Sequence, residues 1–330
     1  MKAIIPVAGA GTKIRPHTYS QPKALMPIAN KTILGYIIDQ LNDANITEFI
    51  FVVGQLGEKI QEYVEQDYPH LTTHFIFQGE RQGTGHAIEM AKDWVGDDEV
   101  FVVLGDTICE FDMKAIIESP YSMLGVKRVD DPSNFGVASI DDDGFITGVV
   151  EKTSIPKSNM ALVGLYKIKE TAILYECLTH LFEQNIKSHG EFNLTDALQC
   201  MIKRGAKFQA FKVKNWFDCG KKETLLEGNT TLLKKFGGHI SEDVQTENVV
   251  IIPPVSIAKG CVIKNTVIGP NVAIGANTTI QYSIIRDSII GAHTNLFEVM
   301  LNNSLVGNDA LVKCLSRSLN VSDNAEIDFG

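Results

Sequence analysis

Long hydrophobic runs are absent from this sequence. Its apolar stretches stay well below the roughly 20 consecutive residues that a bilayer-spanning helix needs. The first residues, MKAIIPVAGAGTK, contain too short an apolar run for a secretory signal peptide and lack a cleavage-site pattern. We therefore expect no membrane association and no export.

An excess of basic residues is also missing. Lys and Arg number 30 against 40 Asp and Glu, so the formal net charge is −10. Proteins that bind nucleic acids need a basic face to neutralise the phosphate backbone, so DNA or RNA is not an expected partner. A nucleotide substrate is compatible with this charge, because a small site needs only a few cations and backbone amides.

Paired cysteine spacings are the third absence. The six cysteines are scattered along the chain, at Cys109, Cys177, Cys200, Cys219, Cys261 and Cys314. This arrangement excludes a standard zinc cluster and does not favour a disulfide framework. A reducing cytoplasm is therefore the compartment that we expect.

What is present is the composition and patterning of a globular α/β protein. Of the 330 residues, 44% are hydrophobic and 21% are charged. Short apolar runs alternate with amphipathic stretches, which predicts a mostly parallel sheet covered by helices on both faces. The predicted strands are 2–7, 48–53, 74–78 and 100–104, and the predicted helices are 33–44, 57–66 and 86–95.

The order of these elements predicts where a ligand binds. In parallel sheets, ligands lie outside the carboxyl ends of the strands, so the loops after Val7, Phe77 and Leu104 are expected to share one cleft. Further strands and a helix at 195–204 are predicted up to Gly237-Gly238, where the pattern changes. We therefore place one domain at 1–238 and a second at 239–330.

Isoleucines at hexapeptide spacing characterise the second domain. They recur every five or six positions, at Ile257, Ile263, Ile268, Ile274, Ile280, Ile285 and Ile290. Such a period predicts a parallel β-helix, with one face per hexapeptide and three faces per coil, in which each coil stacks on its neighbour. A β-sandwich is the alternative, but the strict alternation that its strands require is absent.

The first predicted strand runs into a glycine-rich turn, Gly9-Ala10-Gly11. Glycines let backbone N–H groups approach a phosphate that a side chain would block. Lys13 and Arg15 add positive charge to this turn. By itself the turn has two interpretations, a phosphate cradle or a tight structural turn.

The wider context of the turn is more specific. The run PVAGAGTKIRPHTYSQPKALMPIANKTIL resembles the signature of the sugar-1-phosphate nucleotidyltransferases, also called nucleoside-diphosphate-sugar pyrophosphorylases. The matching residues are Ala8, Gly9, Gly11, Thr12, Pro16, Pro22, Lys23, Leu25 and Pro27. Further motifs follow in the family's order to about residue 235. The likeness is closest to glucose-1-phosphate thymidylyl- and uridylyltransferases, and it implies a Rossmann-like catalytic domain followed by a short left-handed β-helix.

By this resemblance the protein takes a nucleoside triphosphate and a sugar 1-phosphate and needs Mg²⁺. Asp106 follows an apolar strand and Asp218 lies in the segment WFDCG, and both match metal-binding aspartates of the family. Two carboxylates together with substrate phosphates suit Mg²⁺, which keeps few protein ligands. Asp106 alone is equally consistent with a turn or a helix cap.

The resemblance assigns the nucleotide to two segments of the chain. The expected nucleotide-binding residues are Ala8, Gly9, Ala10, Gly11, Thr12, Gln78, Gly83 and Thr84. Gln78 is expected to bond to the base, and the segment QGERQGTGHA fits a pyrimidine better than guanine, which favours dTTP or UTP. His86, in the same segment, is interpreted as a structural residue.

The sugar 1-phosphate is assigned to later segments. The expected sugar-phosphate-binding residues are Gly136, Glu151, Lys152 and Val163. An apolar residue at Val163 resembles glucose-1-phosphate enzymes, which favours glucose 1-phosphate. The segment EFNLTD is predicted to begin a helix with Asn193 or Thr195 as its N-cap.

One departure from the family pattern concerns catalysis. The expected catalytic residues are Lys13, Lys23, Asp106 and Asp218, but the family usually has Arg at the position of Lys13. Lys keeps the charge and loses the bidentate fork. The alternative hypothesis is therefore a catalytically weak or inactive homologue that binds a nucleotide sugar and regulates or scaffolds a partner.

The β-helix is expected to mediate self-association or an allosteric contact, and a homo-oligomer formed through the β-helix or the catalytic domain is the expected state. An acyltransferase site on the β-helix, with His293 as its base, is a third interpretation. It is disfavoured because the helix is short and no acyl-carrier site is recognisable.

Overall fold

A computed structural model describes residues 1–153 and 155–313. The end of the predicted second domain, residues 314–330 with Cys314, lies outside the described residues. The chain divides into two compact units, one formed by Met1–Pro27 and Lys31–Gly228, the other by Ile28–Asn30 and the chain from Asn229 onward. The boundary predicted at residue 238 stays a prediction. Within the described ranges, no helix is both long enough and apolar enough to span a bilayer.

The first unit alternates strands and helices. Its strands are β1 (Lys2–Val7), β2 (Pro27–Ile28), β3 (Lys31–Thr32), β4 (Glu48–Val53), β5 (Thr72–Phe77), β6 (Val100–Val103), β7 (Thr107–Cys109), β8 (Ser122–Arg128), β9 (Val137–Ile140), β10 (Ile146–Val150), β11 (Met160–Ile168), β12 (Phe208–Lys212) and β13 (Trp216–Asp218), of which β2 covers a sequence position at which the two units divide. Its helices are α1 (Ile33–Asn42), α2 (Gly57–Asp67), α3 (Thr84–Met90), α4 (Lys92–Val95), α5 (Met113–Glu118), α6 (Thr171–Glu183) and α7 (Leu194–Lys203). Helix α8 (Lys222–Phe236) covers the sequence position at which the two units divide.

Four parallel strands position the site. The main sheet has the order β10-β9-β11-β6-β1-β4-β5, and β1 pairs in parallel with both β4 and β6. Strand β11 then adds to β6 in the antiparallel direction. Strand β4 is an unbroken apolar run, Phe49–Val53, that is buried on both faces, as parallel strands between helices require. The parallel order places the ends of β1, β5 and β6 at one edge of the sheet.

Two helices differ from the sequence prediction. The helix predicted at 86–95 begins at Thr84 and is interrupted at Ala91, where φ is −82° and ψ is −4°, so it becomes α3 and α4. Helix α6 lies where no element is predicted, although Leu174, Cys177, Leu178 and Leu181 have helical spacing and are buried. In both cases the packing of neighbouring helices decides, because α3 contacts α6 and α7.

The second unit is a solenoid of short parallel strands. They are β14 (Gln245–Ile251), β15 (Val255–Ile257), β16 (Val262–Ile268), β17 (Val272–Ile274), β18 (Thr279–Gln281), β19 (Ile284–Arg286), β20 (Ile289–Ile290), β21 (Asn295–Phe297), β22 (Met300–Asn302), β23 (Leu305–Val306) and β24 (Leu311–Lys313). Val255 pairs with Val272 and Ala273 with Ile289, so one coil takes about 17 residues, close to three hexapeptides. The parallel β-helix prediction is confirmed, and its left hand stays a prediction.

Isoleucines fill the interior of this β-helix. All seven of the isoleucines at hexapeptide spacing are at most 3% exposed. The corners are turned by residues with positive φ that stack from coil to coil, such as Asn248, Asn265 and Tyr282 at one corner. Asparagine tolerates this left-handed conformation better than most residues. The hexapeptide period therefore reflects one buried side chain per face and one tight corner between faces.

Lys167 is a buried charge in the first unit. It lies on β11 with 1% of its surface exposed. Its Nζ donates to the carbonyl oxygens of Ile116, Ile117 and Ser119 at 3.1, 2.9 and 2.7 Å. These carbonyls lie at the end of α5, where the last helical carbonyls have no partner within the helix. The lysine therefore closes the C-terminus of a short helix from a neighbouring strand.

We expect Ile285→Ala to destabilise the β-helix by about 2–5 kcal/mol, because it removes a fully buried side chain and leaves a cavity. The matched control is Met300→Ala on the adjacent strand β22, where the side chain is 77% exposed and the expected change is within about 0.5 kcal/mol. Denaturant unfolding followed by circular dichroism measures both. Equal unfolding midpoints for the two variants would contradict the proposed interior.

We expect Lys167→Met to lower the free energy of unfolding by about 2–3 kcal/mol, because three carbonyls at the end of α5, in one buried and two part-buried hydrogen bonds, lose a charged donor. Lys169→Met is the control, since Lys169 is partly exposed and pairs with Glu99 at 3.3 Å, an interaction worth less than about 1 kcal/mol. The measurement is thermal and denaturant unfolding. A Lys167→Met variant as stable as Lys169→Met would show that the carbonyls find other partners.

Candidate active site

A cavity of about 410 Å³ opens at the carboxyl ends of β1, β5 and β6. Its wall is built from the loops that follow these strands, together with the segment around Lys23. The residues are Pro6, Val7, Ala8, Gly9, Ala10, Lys23, Ala24, Gln78, Arg81, Gly83, Thr84, Ala87, Leu104, Gly105, Asp106 and Glu191. The three loops therefore share one cavity, as the strand order predicts.

The glycine-rich turn forms one side of this cavity. Nothing lies within 4 Å of the place where a Cβ on Gly9 would stand, so the backbone there is open to a ligand. Gly11 has φ +57°, and a Cβ on it would lie 2.7 Å from Cγ2 of Thr18. The Thr18 hydroxyl donates to the Gly11 carbonyl at 2.8 Å and holds the turn in place. Ala8, Gly9 and Ala10 line the cavity, whereas Gly11 and Thr12 come later in the chain and are not among its lining residues.

The pairing of β7 with β13 brings the two aspartates together. Asp218 is the antiparallel partner of Thr107, and the Cys219 N–H donates to the Asp106 carbonyl at 3.0 Å. Burial raises the pKa of Asp218, the nearby Asp106 raises it further, and Lys23 and Lys13 oppose both effects. The two carboxylates are therefore close enough to interact electrostatically.

Lys23 stands directly beside Asp106. Its Nζ lies 2.6 Å from Asp106 Oδ2, and its side chain is only 14% exposed. The short 3-10 helix Lys23–Leu25 after Pro22 fixes the backbone at this point. Lys13 lies in an exposed 3-10 turn, and its charge reaches Asp218. Lys13, Lys23 and Asp106, the other three residues predicted to be catalytic, thus all lie within electrostatic range of Asp218.

The donor set here fits a hard divalent ion that keeps most of its shell for water and phosphate. A Cβ on Gly220 would lie 2.9 Å from Asp218 Oδ1, so glycine keeps the space beside this carboxylate free. Within residues 1–153 and 155–313, no group of three or more His, Cys, Asp or Glu side chains is arranged to hold a metal. Two carboxylates and bound phosphates match the preference of Mg²⁺.

Gln78 and Gly83 form the opposite wall. Gln78 is buried, and its Nε2 lies 3.0 Å from Nδ1 of His86. Burial lowers the pKa of His86, so its ring is neutral near pH 7 and Nδ1 accepts this hydrogen bond. Gly83 has φ +109°, and a Cβ on it would meet the Phe192 carbonyl at 2.3 Å. Only glycine fits there, because the segment before α7 packs directly on it.

The N-terminus of α7 differs from its predicted capping. The side chain of Asn193 makes no cap bond and instead donates to the carbonyls of Ser188 and Glu191. The Leu194 N–H is bound by the hydroxyl of Thr84, at 3.0 Å, from a distant part of the chain. Asn193 is the N-cap residue by position, as one of the two predicted alternatives, but its side chain does not cap the helix, because a tertiary contact supplies the acceptor. Thr84 at once lines the cavity and anchors α7.

The residues assigned to the sugar phosphate form a second group. The Thr195 hydroxyl donates to Glu151 Oε2 at 2.7 Å, and a Cβ on Gly136 would lie 3.3 Å from the same oxygen. Lys152 Nζ lies 3.5 Å from Glu151 Oε1. Val163 is buried and lies against Gly125. Among the described residues, the wall of the 410 Å³ cavity includes Gly105 and Asp106 but none of these four.

Tyr166 connects this second group with the aspartates. Its hydroxyl is buried, which raises its pKa, and the carboxylates of Glu151 and Asp106 raise it further. Both carboxylates therefore lie within electrostatic reach of one phenol. Glu151, one of the residues predicted to bind the sugar phosphate, therefore lies in the same region of the first unit as Asp106.

Two charged residues of the cavity wall are not among the predicted site residues. Arg81 lines the cavity from the loop between β5 and α3, and Glu191 lines it from the segment before α7. Arg81 stands between Gln78 and Gly83 in the segment already assigned to the base. The positive charge of Arg81 in that segment was the sequence feature that could have indicated a role in ligand binding.

Comparison with known proteins agrees with the motifs. Residues 2–235 match the family described as nucleotidyl transferase. The low-salt glycan biosynthesis nucleotidyltransferase Agl11 of Haloferax volcanii is 32% identical over 318 residues, which are 88% of this chain and 87% of that protein. Glucose-1-phosphate thymidylyltransferase of Streptomyces antibioticus is 30% identical over 337 residues, covering 94% and 93%. The bifunctional protein GlmU of Methanocaldococcus jannaschii is 38% identical over 263 residues, covering 79% of this chain but 61% of that protein.

The fold has solved counterparts as well. The crystal structure of UDP-glucose pyrophosphorylase complexed with UDP-glucose is similar with a TM-score of 0.63, over 71% of this chain and 98% of that chain. At 24% identity this likeness concerns the fold alone. The family match, in contrast, spans well over half of the chain and includes the glycine-rich turn and both aspartates. The chain therefore belongs to the nucleotidyl transferase family, which confirms the prediction of a nucleotidyltransferase enzyme.

Proposed function

We propose that this protein transfers a nucleotidyl group from dTTP or UTP to glucose 1-phosphate and releases pyrophosphate. The observation that carries the proposal is the contact of Lys23 with Asp106 beside Asp218, at the mouth of a cavity walled by an open glycine turn. A cation, two carboxylates proposed to bind the metal and the backbone N–H groups of the turn would then surround one point. Such a position suits the α-phosphate, which the sugar phosphate oxygen attacks.

The reaction needs positioning and charge neutralisation more than proton transfer. An oxygen of the sugar phosphate attacks the α-phosphorus, a new P–O bond forms, and the bond to the β-phosphate oxygen breaks with pyrophosphate leaving. The attacking phosphate is mostly ionised near pH 7, because its second pKa is about 6. No general base is therefore required, and Lys23 and Lys13 stabilise the negative charge that develops as pyrophosphate leaves.

Asp106 and Asp218 are the residues that would hold Mg²⁺. When bound, the ion neutralises charge on the phosphate oxygens and helps to align the reactants. The protein's own part is to hold both carboxylates through the β7–β13 pairing and to keep Lys23 against Asp106. Lys13 is a point charge on an exposed turn, and it would stabilise the negative charge on the departing pyrophosphate.

The base and sugar preferences have separate support. The cavity volume of about 410 Å³ lies within the range for sites that bind small ligands. Gln78 Nε2 is anchored at the wall of this cavity by His86 and by the Gly83 carbonyl, and the amide oxygen would accept a hydrogen bond from a pyrimidine. Glu151, held by Thr195, would accept hydrogen bonds from sugar hydroxyls, and Lys152 would bind the sugar phosphate.

Relatives point to the same substrates. Glucose-1-phosphate thymidylyltransferase of Streptomyces antibioticus matches nearly the whole chain, and a UDP-glucose pyrophosphorylase shares the fold. We propose a cytoplasmic enzyme on the basis of the scattered free thiols and the nucleotide substrate. Self-association through the β-helix or the catalytic domain stays a prediction.

A substrate panel tests the proposed function. We expect pyrophosphate release with dTTP or UTP and glucose 1-phosphate in the presence of Mg²⁺, and loss of release when EDTA is added. ATP and GTP, and mannose or N-acetylglucosamine 1-phosphate, are expected to react at least about tenfold more slowly. A protein that binds nucleotide sugars but releases no pyrophosphate with any pair would support the regulatory alternative instead.

Single substitutions test the catalytic assignment. We expect Lys23→Ala and Asp106→Asn each to lower kcat by about 100-fold or more, because each removes charge stabilisation at the reacting phosphates. The matched controls are Lys114→Ala, with an 82% exposed side chain on α5, and Asp142→Asn on an exposed turn. Circular dichroism checks the fold of each variant. Wild-type rates in Lys23→Ala or Asp106→Asn would refute the assignment.

A further inference from the structure

The side chain of Gln78 is held at both of its ends. Its backbone N–H donates to the Val53 carbonyl at 2.8 Å, which continues the pairing of β5 with β4 by one residue. Its amide Nε2 lies 3.4 Å from the Gly83 carbonyl oxygen and 3.0 Å from His86 Nδ1. The side chain is 5% exposed and lines the 410 Å³ cavity. An amide held in this way presents one definite end to a ligand.

The Gly83 carbonyl indicates which end that is. A carbonyl oxygen only accepts hydrogen bonds, so the amide atom beside it is the nitrogen of Gln78 and not the oxygen. The backbone around Gly83 is fixed, because the Phe192 N–H donates to the Gln82 carbonyl and the Gly85 N–H donates to the Phe192 carbonyl, both at 2.8 Å. At 3.4 Å the contact with Gln78 is a long and therefore weak hydrogen bond, which does not hold the amide alone.

His86 supplies the shorter contact of the two. A neutral imidazole has one N–H donor and one acceptor nitrogen, and here Nδ1 faces the amide nitrogen of Gln78, so Nδ1 is the acceptor. The ring of His86 lies edge-on to the ring of Phe182, with 6.0 Å between the centroids, and Phe182 in turn contacts Phe192 at 4.3 Å. The packing of α3 on α6 therefore sets the position of this acceptor before any ligand binds.

The amide oxygen of Gln78 is the atom that remains for a ligand. The two hydrogens of Nε2 are directed at Gly83 and His86. Within residues 1–153 and 155–313, no donor lies in hydrogen-bond distance of Oε1, and this oxygen is not completely enclosed. The wall of the cavity therefore offers an acceptor at this position.

An acceptor at this position separates the pyrimidines from one another. Uracil and thymine carry an N–H at N3, whereas N3 of cytosine is itself an acceptor on the same edge of the ring. A site that hydrogen-bonds an N–H discriminates strongly against an analogue that lacks it, because the buried polar groups are then left unpaired. The orientation of one amide thus decides whether uracil or cytosine fits.

We propose that His86 is a positioning residue that makes the base site accept uracil or thymine and reject cytosine. It acts through Gln78, because its Nδ1 binds the amide nitrogen and so turns the amide oxygen towards N3 of the base. The inference rests on the proposed function and deepens it. Since uracil and thymine share the N3–H, His86 does not choose between UTP and dTTP.

Protonation of His86 reverses this preference. Both nitrogens of an imidazolium are donors, so Nδ1–H then faces the amide N–H of Gln78, and the amide has to turn its oxygen to His86 and its nitrogen to the base. Burial holds the pKa of His86 below its ordinary value, and the charge of Glu80 opposes this effect, whereas Phe182 and Gln78 beside the ring are uncharged. The preference for uracil is therefore present near pH 7 and is lost as the pH falls through this lowered pKa.

Binding measurements without sugar phosphate test the role of His86 apart from turnover. Isothermal titration of the full chain with UTP and with CTP, in the presence of Mg²⁺, is compared for wild type, His86→Phe and His86→Asn. We expect wild type to bind UTP at least about tenfold more tightly than CTP, and His86→Phe, which keeps an aromatic ring without an acceptor, to reduce this ratio to about twofold or less. His86→Asn supplies an amide oxygen as the acceptor and is expected to recover part of the ratio. His70→Phe, at an exposed position, is the control and leaves the ratio unchanged.

A pH series distinguishes positioning from a merely structural role. We expect the UTP to CTP affinity ratio of wild type to fall as the pH is lowered from about 8 to about 5.5. The ratio of His86→Asn is expected to stay constant, because an amide does not titrate in this range. Both nucleotides carry the same triphosphate, so the titration of the phosphates cancels in the ratio.

Three results would overturn the inference. They are a wild type that does not distinguish UTP from CTP, a folded His86→Phe variant in which both affinities fall equally or not at all, and the same pH dependence of the ratio in wild type and His86→Asn. Pyrophosphate release from UTP and glucose 1-phosphate, measured separately, reports on the proposed function alone. A protein that turns over UTP with a ratio independent of His86 keeps the function and loses the inference, and a ratio that depends on His86 without turnover shows the reverse.

Discussion

The antiparallel pairing of β7 with β13 is the constraint on which the site depends. It sets Asp218 opposite Thr107 and lets the Cys219 amide bind the Asp106 carbonyl. Two carboxylates held this close repel each other, and the structure offsets the repulsion with Lys23 at 2.6 Å from Asp106. The arrangement is suited to a divalent ion and phosphates, because both reduce the electrostatic cost of gathering these charges.

Close backbone approach shapes the rest of the cleft. Gly83 allows the Phe192 carbonyl to pack where a side chain would stand, and Gly54 does the same for the Ala8 carbonyl. These contacts bring the segment before α7 and the loop after β4 against the cavity walls. Thr84 then binds the first amide of α7, so the wall of the cavity and the start of this helix depend on one hydroxyl. Direct backbone packing and one hydroxyl therefore hold these segments of the cleft together.

The β-helix follows a simpler rule. Each coil buries isoleucines inside and turns its corners with residues such as Asn248 and Asn265 at positive φ. Buried hydroxyl groups also connect successive coils by hydrogen bonds. The Thr278 hydroxyl donates to the Gly291 carbonyl and accepts from the Thr294 N–H, one coil further along the chain. Nearest-neighbour stacking of this kind stabilises the unit coil by coil.

Short sequence patterns were enough to predict the elements that are stabilised by interactions over a few residues. Strand β1, the glycine turn and the β-helix were all predictable, because an apolar run, a missing Cβ and a buried isoleucine at hexapeptide spacing act over a few residues. The family motifs also named Asp106, Asp218 and Lys23, although their meeting in space was only implied. Arg81 carried no assignment, because its charge alone does not say that the side chain faces the cavity.

Tertiary structure alone decided the contacts between distant segments. The cap of α7 comes from Thr84, the Asp218 carboxylate is held near Asp106 by a returning strand, and Lys167 closes α5 from β11. In each case a buried polar group needs a partner, and the partner that it finds is set by how the chain packs. The sequence by itself therefore determined the hexapeptide period of the β-helix and the residue types at the site. Packing determined which of those residues are in contact.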